Sequence, residues 1–138
     1  HLLLRRRQAK MSVIQQNLEK VNLIAGHPTA TRTATGQTSG IDLRDYDGDV
    51  VFVLDSAAGG GSSPTLDVTI EDSADNSSFA AVSSGAVAFT QVTGTASAQT
   101  VSLNKDDARR YARIKYTIGG SSPTFTFSVN AIGLKKYG

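Results

Sequence analysis

Apolar and polar residues alternate strictly between residues 65 and 71, immediately after a Gly/Ser-rich segment. Leu66, Val68 and Ile70 fall on one side of this run, and polar residues fall on the other. A period of two is typical of a strand with one buried face, so the run predicts a half-buried strand. The apolar residues 50–54 predict a second strand before the Gly/Ser segment. We therefore expect residues 49–70 to form a β-hairpin around which the rest of the chain is organised.

The hexapeptide GGSSPT occurs twice, at residues 60–65 and 119–124, each time between two β-rich runs. The second copy predicts another hairpin of the same design over residues 111–129. Two copies indicate two related units in one domain and are too few for a solenoid array. Around the second copy, alternation predicts these inward-facing side chains: Ala112, Ile114, Tyr116, Ile118, Phe125, Phe127, Val129 and Ala131.

Shorter signals complete the predicted set of elements. The chain is expected to break at His27 and Pro28, because the residue before a proline avoids the helical region. Asp47 and Gly48 predict a turn before the central strand, and Asn104 predicts the cap of a short helical turn. A weaker hairpin is expected around residues 83–85. The remaining strands are expected at residues 21–24, 41–46, 79–82, 86–92 and 98–103, with residues 29–39 as a short strand or an extended loop.

The composition is that of a turn-rich all-β domain. A chain of 138 residues suits one domain with a core of its own. The sequence contains no Cys, which excludes disulfides and thiol chemistry, and no Trp. We predict an all-β fold, an antiparallel β-sandwich of jelly-roll type with about eight strands and an extended N-terminal arm. A small antiparallel barrel is the alternative.

Positive charge is concentrated at the start of the chain. Arg5, Arg6, Arg7 and Lys10 occur there without an acidic residue, and setting them aside leaves ten basic residues against twelve acidic ones. A uniform nucleic-acid-binding surface is therefore not expected, nor is direct binding of nucleic acid. We divide the chain into an N-terminal arm or leader, residues 1–24, and a single β-sandwich domain, residues 25–138. Residues 1–10 are either a basic arm that lies on an acidic surface or a segment upstream of a true start at Met11.

The sequence contains no motif for catalysis, a metal or a cofactor. His1 and His27 are the two histidines, and no GxSxG motif accompanies them. The acids between residues 42 and 49 suggest calcium, but an EF-hand with Gly48 at its glycine position would place Leu43 and Leu54 at ligand positions. The GGSSPT repeat lacks the Lys and the following helix of a phosphate-binding loop. We therefore expect a protein that is not an enzyme and needs no cofactor.

One basic cluster remains in the body of the chain, at residues 109–115. Alternation predicts that Arg113 and Lys115 point to solvent, where they form a protein-docking face, a nucleic-acid-stacking face or a plain solvated face. A carbohydrate-binding module would need exposed aromatic platforms. Tyr46, Tyr111 and Tyr137 are the candidates, since the phenylalanines are needed for the core. No apolar run is long enough to span a bilayer, so no membrane partner is expected.

Residues 41–79, the FTQV segment at residues 89–92 and residues 104–133 resemble the small head-decoration, or cement, proteins of tailed bacteriophages, Bordetella phages among them. The resemblance rests on the phrasing of strands and turns rather than on a catalytic signature. It implies a jelly-roll-like homodimer on the outer surface of the virion capsid. It also implies a structural protein that stabilises the assembled capsid by bridging neighbouring major capsid proteins.

The candidate contact surface combines the N-terminal segment, residues 29–39 and the basic strand face. Residues 21–24 are expected to add to the edge of a neighbour's sheet. Two other classes stay open: a carbohydrate-binding module on a virion or cell surface, and a phage tail or baseplate component. The predicted capsid or partner contacts are Arg5, Arg6, Arg7, Lys10, Val21, Leu23, Arg32, Arg113 and Lys115.

Overall fold

The computed structural model describes residues 21–135. This part of the chain contains nine strands and two short 3-10 turns, Leu43–Asp45 and Lys105–Asp107. The strands are β1 (Val21–Arg32), β2 (Gly36–Gln37), β3 (Ile41–Asp42), β4 (Tyr46–Ser56), β5 (Gly60–Ser73), β6 (Ala80–Ala81), β7 (Val87–Ala88), β8 (Ser97–Asn104) and β9 (Tyr111–Lys135).

Two antiparallel sheets share the long strand β9. The first has the order β1–β9–β4–β8 and uses the C-terminal half of β9. In the second, the N-terminal half of β9 pairs with β5 on one side and with β2 and β3 on the other. β6 and β7 complete the second sheet by pairing with the outer edge of β5. The predicted all-β antiparallel sandwich of jelly-roll type is thereby confirmed, with nine strands in the described residues where about eight were expected.

The core lies between the two sheets and follows the predicted alternation. Leu66, Val68 and Ile70 of β5 are buried, as are the four predicted residues from Phe125 to Ala131 in β9. Ala112 and Ile114 are buried too, whereas Tyr116 and Ile118 are half-buried and pack against the edge of the core. The largest buried side chains are Phe52, Phe125, Phe127, Leu54, Leu66, Ile70, Leu103 and Ile114.

The two predicted hairpins are wrong. β4 and β5 follow one another in the chain, but both pair with β9 and not with each other. The second GGSSPT copy lies inside the continuous 25-residue strand β9 rather than in a turn. Residues 57–59 carry the chain from one sheet to the other, where the backbone N–H of Ala57 donates to the carbonyl of Thr126 at 2.9 Å. A Gly/Ser segment between apolar runs is compatible with either structure, and the choice depends on a partner strand about 60 residues away.

The two GGSSPT copies pair with each other where the sheets meet. Gly60 faces Thr124, Thr65 faces Gly119, and Ser62 faces Ser121, so the register is symmetric about the serines. Both copies adopt the same unusual backbone, with positive φ at the second glycine and the second serine. Register shifts on both sides of Ser62 bend the paired strands, as β-bulges do. We call this paired segment, residues 60–65 with 119–124, the crossing.

Local elements between residues 41 and 49 also differ from expectation. The predicted strand at residues 41–46 is only the short β3, followed by a 3-10 turn. Asp42 caps this turn, because its carboxylate accepts a hydrogen bond from the backbone N–H of Arg44 at 3.1 Å. Asp47 and Gly48 do not end a strand but lie in β4, at a register irregularity against β9. Gly48 has φ +68° there, which is a conformation that glycine adopts without strain.

β1 is longer than predicted. It begins at Val21 as expected but runs to Arg32, through the predicted break at His27 and Pro28. The proline is accommodated by a register shift between His27 and Ala30, which is where a residue without an N–H can lie in a strand. Residues 21–24, which the sequence analysis assigned to the arm, thus pair with β9 in the first sheet.

The segments around β8 and around residues 83–85 test two further predictions. The strand at residues 98–103 is confirmed as β8, and Asn104 caps the following 3-10 turn by accepting from Asp106 N–H at 3.0 Å. A turn does form at residues 83–85, where the N–H of Gly85 donates to the carbonyl of Val82 at 3.2 Å. However, β6 and β7 on either side of it pair with β5 and not with each other, so the weaker hairpin is wrong.

Candidate partner-binding surfaces

Asp72 is a buried carboxylate on β5 that anchors Arg109. Its two oxygens accept from the backbone N–H, Nε and Nη2 of Arg109 at 2.9, 3.0 and 2.7 Å. Its carbonyl oxygen also accepts from Nη2, at 2.8 Å. A buried charge is tolerated only when it is paired and hydrogen-bonded, and these four contacts satisfy Asp72. They also fix the guanidinium of Arg109, whose side chain remains 46% exposed.

Asp42 holds the neighbouring Arg110 in a similar way, at a more exposed position. Nε and Nη2 of Arg110 donate to the two carboxylate oxygens at 3.2 and 2.9 Å. These hydrogen bonds, helped by the N–H of Arg44, lower the pKa of Asp42 below its ordinary value. The guanidinium carbon of Arg110 lies 4.9 Å from the centre of the Tyr111 ring, within cation–π range.

A cavity of about 350 Å³ opens where the two 3-10 turns meet. A backbone hydrogen bond of 2.8 Å runs from Leu43 N–H, in the first turn, to the carbonyl of Arg110, which lies between the second turn and β9. We call this feature the basic cavity, because four of its seven lining residues are cations and one is an acid. Its lining residues are Leu43, Arg44, Lys105, Asp106, Ala108, Arg109 and Arg110. Such a lining suits a group that carries negative charge.

Arg113 and Lys115 are less exposed than alternation predicted. Arg113 donates from Nε to Glu71 at 2.9 Å, and its guanidinium carbon lies 4.4 Å from the centre of the Phe79 ring. Its side chain is 22% exposed. Lys115 is half-buried and donates from Nζ to Gln37 at 3.2 Å. Both alternate with the buried Ala112 and Ile114, as predicted, but each is partly covered by its hydrogen-bond partner. Their role as contacts stays a prediction.

His27 and Arg32 of β1 form an aromatic cluster with β9. The ring centre of His27 lies 4.7 Å from that of Tyr116 and 5.5 Å from that of Phe127. Arg32 stacks on Phe127 at 4.9 Å and donates to three carbonyls, those of Pro28, Ala30 and Phe127. Burial, together with the positive charge of Arg32, lowers the pKa of His27 to about 4. Nε2 of His27 is buried without a hydrogen-bond partner among the described residues.

The other predicted contacts lie mainly at or before the start of β1. Val21 and Leu23 are in β1, where their backbones pair with Leu134 and Ile132 of the same chain. Residues 21–24 are thus already paired along one edge, which leaves the opposite edge for the predicted addition to a neighbour's sheet. The four basic residues of the arm, Arg5, Arg6, Arg7 and Lys10, lie outside the described residues.

A second cavity, of about 330 Å³, is lined chiefly by hydroxyl groups. We call it the hydroxyl cavity. It lies at the junction of β4, β9 and β1, and its lining residues are Thr29, Asp55, Ser56, Ala57, Ala96, Thr126 and Ser128. Hydroxyl and carboxylate groups can exchange hydrogen bonds with polyols, but no aromatic ring lines this cavity.

The acidic run and the tyrosines do not assemble into a site in the described chain. Between residues 21 and 135, no group of three or more His, Asp and Glu side chains is placed to hold a metal ion. Asp47 instead forms an ion pair, in which its Oδ1 lies 3.8 Å from Nζ of Lys105. Tyr46 and Tyr111 are half-buried, and Tyr137 lies outside the described residues. The same described segment contains no helix with the length and apolarity needed to cross a membrane.

A sequence-family model named Bbp16 matches residues 40–130, which is most of the chain and includes β3 to the C-terminal half of β9. The chain belongs to the Bbp16 family. Bbp16 is a Bordetella phage protein family, so the protein is a phage-related β-sandwich protein. No curated protein sequence matches the chain.

Solved structures of similar shape come from several sources. The PBSX exported protein XepA is 20% identical with a TM-score of 0.49; the match covers 86% of this chain and 38% of XepA, so this chain spans little more than a third of that protein. The VP2 subviral particle of infectious bursal disease virus is 12% identical with a TM-score of 0.49, covering 83% and 32% of the two chains. The CBM22-1 xylan-binding domain of Paenibacillus barcinonensis Xyn10C is 13% identical with a TM-score of 0.46, covering 85% and 97%.

Sequence reasoning missed the basic cavity and its anchor. Neither Arg44 nor Asp72 was predicted as a site residue, and Asp42 was considered only among the acids of a possible calcium site. A signal was present, because the alternation that buries Leu66, Val68 and Ile70 places Asp72 on the same inward face. A carboxylate on a buried face requires a partner nearby, so a partner could have been expected, but the sequence does not identify which residue it is.

Proposed function

We propose that this protein is a non-enzymatic virion protein that binds the outside of an assembled phage capsid and stabilises it. In this proposal it bridges neighbouring major capsid proteins, as the cement proteins that its sequence resembles do. The observation that carries the proposal is the Bbp16 family match over residues 40–130.

The character of the described surface supports this proposal. Three arginines of the basic cluster at residues 109–115 are held by acids of the same domain, so the surface that they present is ordered before any partner binds. A rigid surface loses little conformational entropy on binding, which favours the association of folded proteins. Positive charge in the arm, at Arg5 to Arg7 and Lys10, would add attraction to an acidic shell.

The proposed mechanism is thermodynamic linkage. A protein that binds the assembled, expanded shell but not free capsid subunits shifts the equilibrium away from disassembly. Each interface of this kind buries roughly 1,000–2,000 Å². We propose that the protein acts as a homodimer, because a dimer that engages two capsid subunits gains from effective concentration.

Co-sedimentation with bare, expanded capsids of the cognate phage tests the proposal. We expect saturable, stoichiometric pelleting of the purified protein with shells, and decorated shells that survive heating better than bare ones because bound protein must be released first. Light scattering during a temperature ramp measures the second effect. Equal survival of decorated and bare shells, or no pelleting, would contradict the proposed function. Pelleting with isolated tails in place of shells would favour a tail or baseplate component.

A carbohydrate-binding role is the second candidate, and the hydroxyl cavity is the observation that favours it. Its side chains can hydrogen-bond to sugar hydroxyls, although the stacking platform that most such sites use does not line it. The isolated protein can be tested for saturable binding to glycans on an array. Binding that is lost when Asp55 is replaced by Ala would favour this role over capsid binding.

A further inference from the structure

We propose that the basic cavity is a docking site for a carboxylate-bearing segment of a partner protein. The identity of that partner as a capsid protein rests on the proposed function, whereas the chemistry of the site does not. The argument rests on how the cations of the cavity are held, on its size and on the acids around it.

The first step is that Arg109 is positioned before a ligand arrives. Asp72 takes the Nε, Nη2 and backbone N–H of Arg109 in four hydrogen bonds of 2.7–3.0 Å. Nη1 has no hydrogen-bond partner among residues 21–135, although the side chain is nearly half exposed. A guanidinium that is fixed along one edge and open along the other can donate hydrogen bonds to a second carboxylate without losing further rotamer entropy.

The second step concerns Arg44, whose positive charge acts on the Asp42 carboxyl although its guanidinium does not hydrogen-bond to an acid among the described residues. It is exposed, and within the described chain its side chain makes no hydrogen bond or ion pair. Arg44 lies in the 3-10 turn that the Asp42 carboxylate caps, so its backbone is held in place while its side chain extends to solvent. Lys105, only 15% exposed, lies on the other turn of the same cavity. A carboxylate that enters the cavity therefore meets cations from both turns.

The third step separates a protein from a nucleic acid as the occupant. A cavity of about 350 Å³ accommodates one or two side chains rather than a length of phosphate backbone. Asp106 in the lining and Asp107 beside it would repel a continuous polyanion, while a single Glu or Asp side chain can avoid them. The apolar surface of Leu43 and Ala108 suits the methylene groups of such a side chain.

The experiment uses the full chain and, as the probe, a short peptide that carries one glutamate among neutral residues, followed by NMR titration. We expect Arg44→Ala to weaken peptide binding about tenfold and Arg44→Glu to weaken it further, since about 1.4 kcal/mol corresponds to a factor of ten. Ser84→Glu is the matched control, because it lowers the net charge by one unit, as Arg44→Ala does, in an exposed turn that does not line the cavity. It should change binding less than twofold, about 0.4 kcal/mol. Amide shifts should cluster at the two 3-10 turns.

The same variants, mixed with shells, distinguish the two proposals. Loss of shell binding by Arg44→Ala but not by Ser84→Glu supports the docking site. Equal losses in both variants would overturn it, as would peptide binding that is indifferent to Arg44. If a single-stranded DNA oligonucleotide binds more tightly than the peptide and this binding depends on Arg44, the occupant of the cavity is a nucleic acid and the docking proposal is wrong. If the wild-type protein binds the peptide through Arg44 but no shells, the proposed function fails and the docking site stands.

Discussion

At the scale of single residues, His27 combines aromatic contacts with an unsatisfied nitrogen. Its ring lies against Tyr116 in one half of β9 and Phe127 in the other, so it contacts both sheets. Arg32 and Tyr116 are the described titratable groups that face it, and Arg32 opposes its protonation. The folded state therefore prefers the neutral imidazole.

This preference predicts a pH-dependent stability with a defined sign. The pKa of His27 is about 4 in the folded protein and near 6.5 when unfolded. Its stabilising contribution is fully present above pH 6.5 and is lost as the pH falls towards 4, because the unfolded chain then binds the proton that the folded chain excludes. We expect a loss of about 1 kcal/mol, reduced by solvent screening of a partly exposed ring.

Urea unfolding at pH 7.5 and at pH 4.5 measures the effect. His27→Phe is the control, since phenylalanine retains the ring contacts, needs no partner for Nε2 and does not titrate. The variant should lose less stability than the wild type between the two pH values. Equal losses would assign the pH dependence to the carboxylates instead.

Individual side chains were predicted well wherever alternation decided their position. The buried faces of β5 and the C-terminal half of β9 follow from a period of two, which local chain geometry imposes on any strand. The partners of the charged residues could not be predicted, because Arg109 and Asp72 are brought together by strands that are distant in sequence. Alternation places a side chain on a face but does not identify what lies beside it.

At the scale of elements, the crossing is the feature with the tightest backbone contacts. A Cβ on Gly61 would collide with the carbonyl oxygen of Ser122 and come within 2.7 Å of that of Ser121. On the other copy, a Cβ on Gly120 would lie 2.8 Å from the carbonyl oxygen of Ser63. The second glycine of each copy, Gly61 and Gly120, therefore allows two backbones to approach closely and does not form a turn.

This contact predicts an unequal effect of two glycine substitutions. Gly61→Ala should destabilise the protein by roughly 2–4 kcal/mol, because it combines a left-handed backbone with a clash against another backbone. Gly48→Ala is the matched control: Gly48 also has positive φ, but nothing lies within 4 Å of its added Cβ, so it should cost only about 1 kcal/mol. Urea unfolding measures both changes. Similar costs would mean that the crossing can relax.

The crossing also explains why the hairpins were predicted wrongly. Glycine, serine and proline are abundant in tight turns, so the local sequence GGSSPT predicts a turn. The same residues allow the bulges and close approach of a bent strand pair. Only the partner strand decides between these, and the sequence gives no local sign that one copy pairs with the other.

At the scale of the whole molecule, β1 belongs to the first sheet, so the role of the proposed arm can be tested by a deletion that leaves β1 intact. β1 begins at Val21, so residues 1–20 precede the first described strand. A deletion that extends to residue 24, the arm boundary expected from sequence, would also remove three residues that pair with β9, Val21, Asn22 and Leu23. Loss of binding could then not be separated from loss of stability.

We therefore predict the effect of deleting residues 1–20 only. If the arm contacts the shell, the truncated protein should lose pelleting with expanded capsids and keep the melting temperature of the full chain. A full-length variant with Arg5, Arg6, Arg7 and Lys10 changed to Gln separates charge from length. Undiminished pelleting of the truncated protein would remove the arm from the contact surface.

The length of β9 has a consequence for synthesis. β9 is the central strand of both sheets and follows every other described strand in the chain, so neither sheet can close while residues 111–135 are still being translated. Strand pairing over such sequence distances is slow, and the domain must fold as a unit after β9 has left the ribosome. Until then the two apolar faces lie open together. The time that β9 takes to leave the ribosome and the supply of chaperones would therefore limit how quickly binding-competent subunits accumulate.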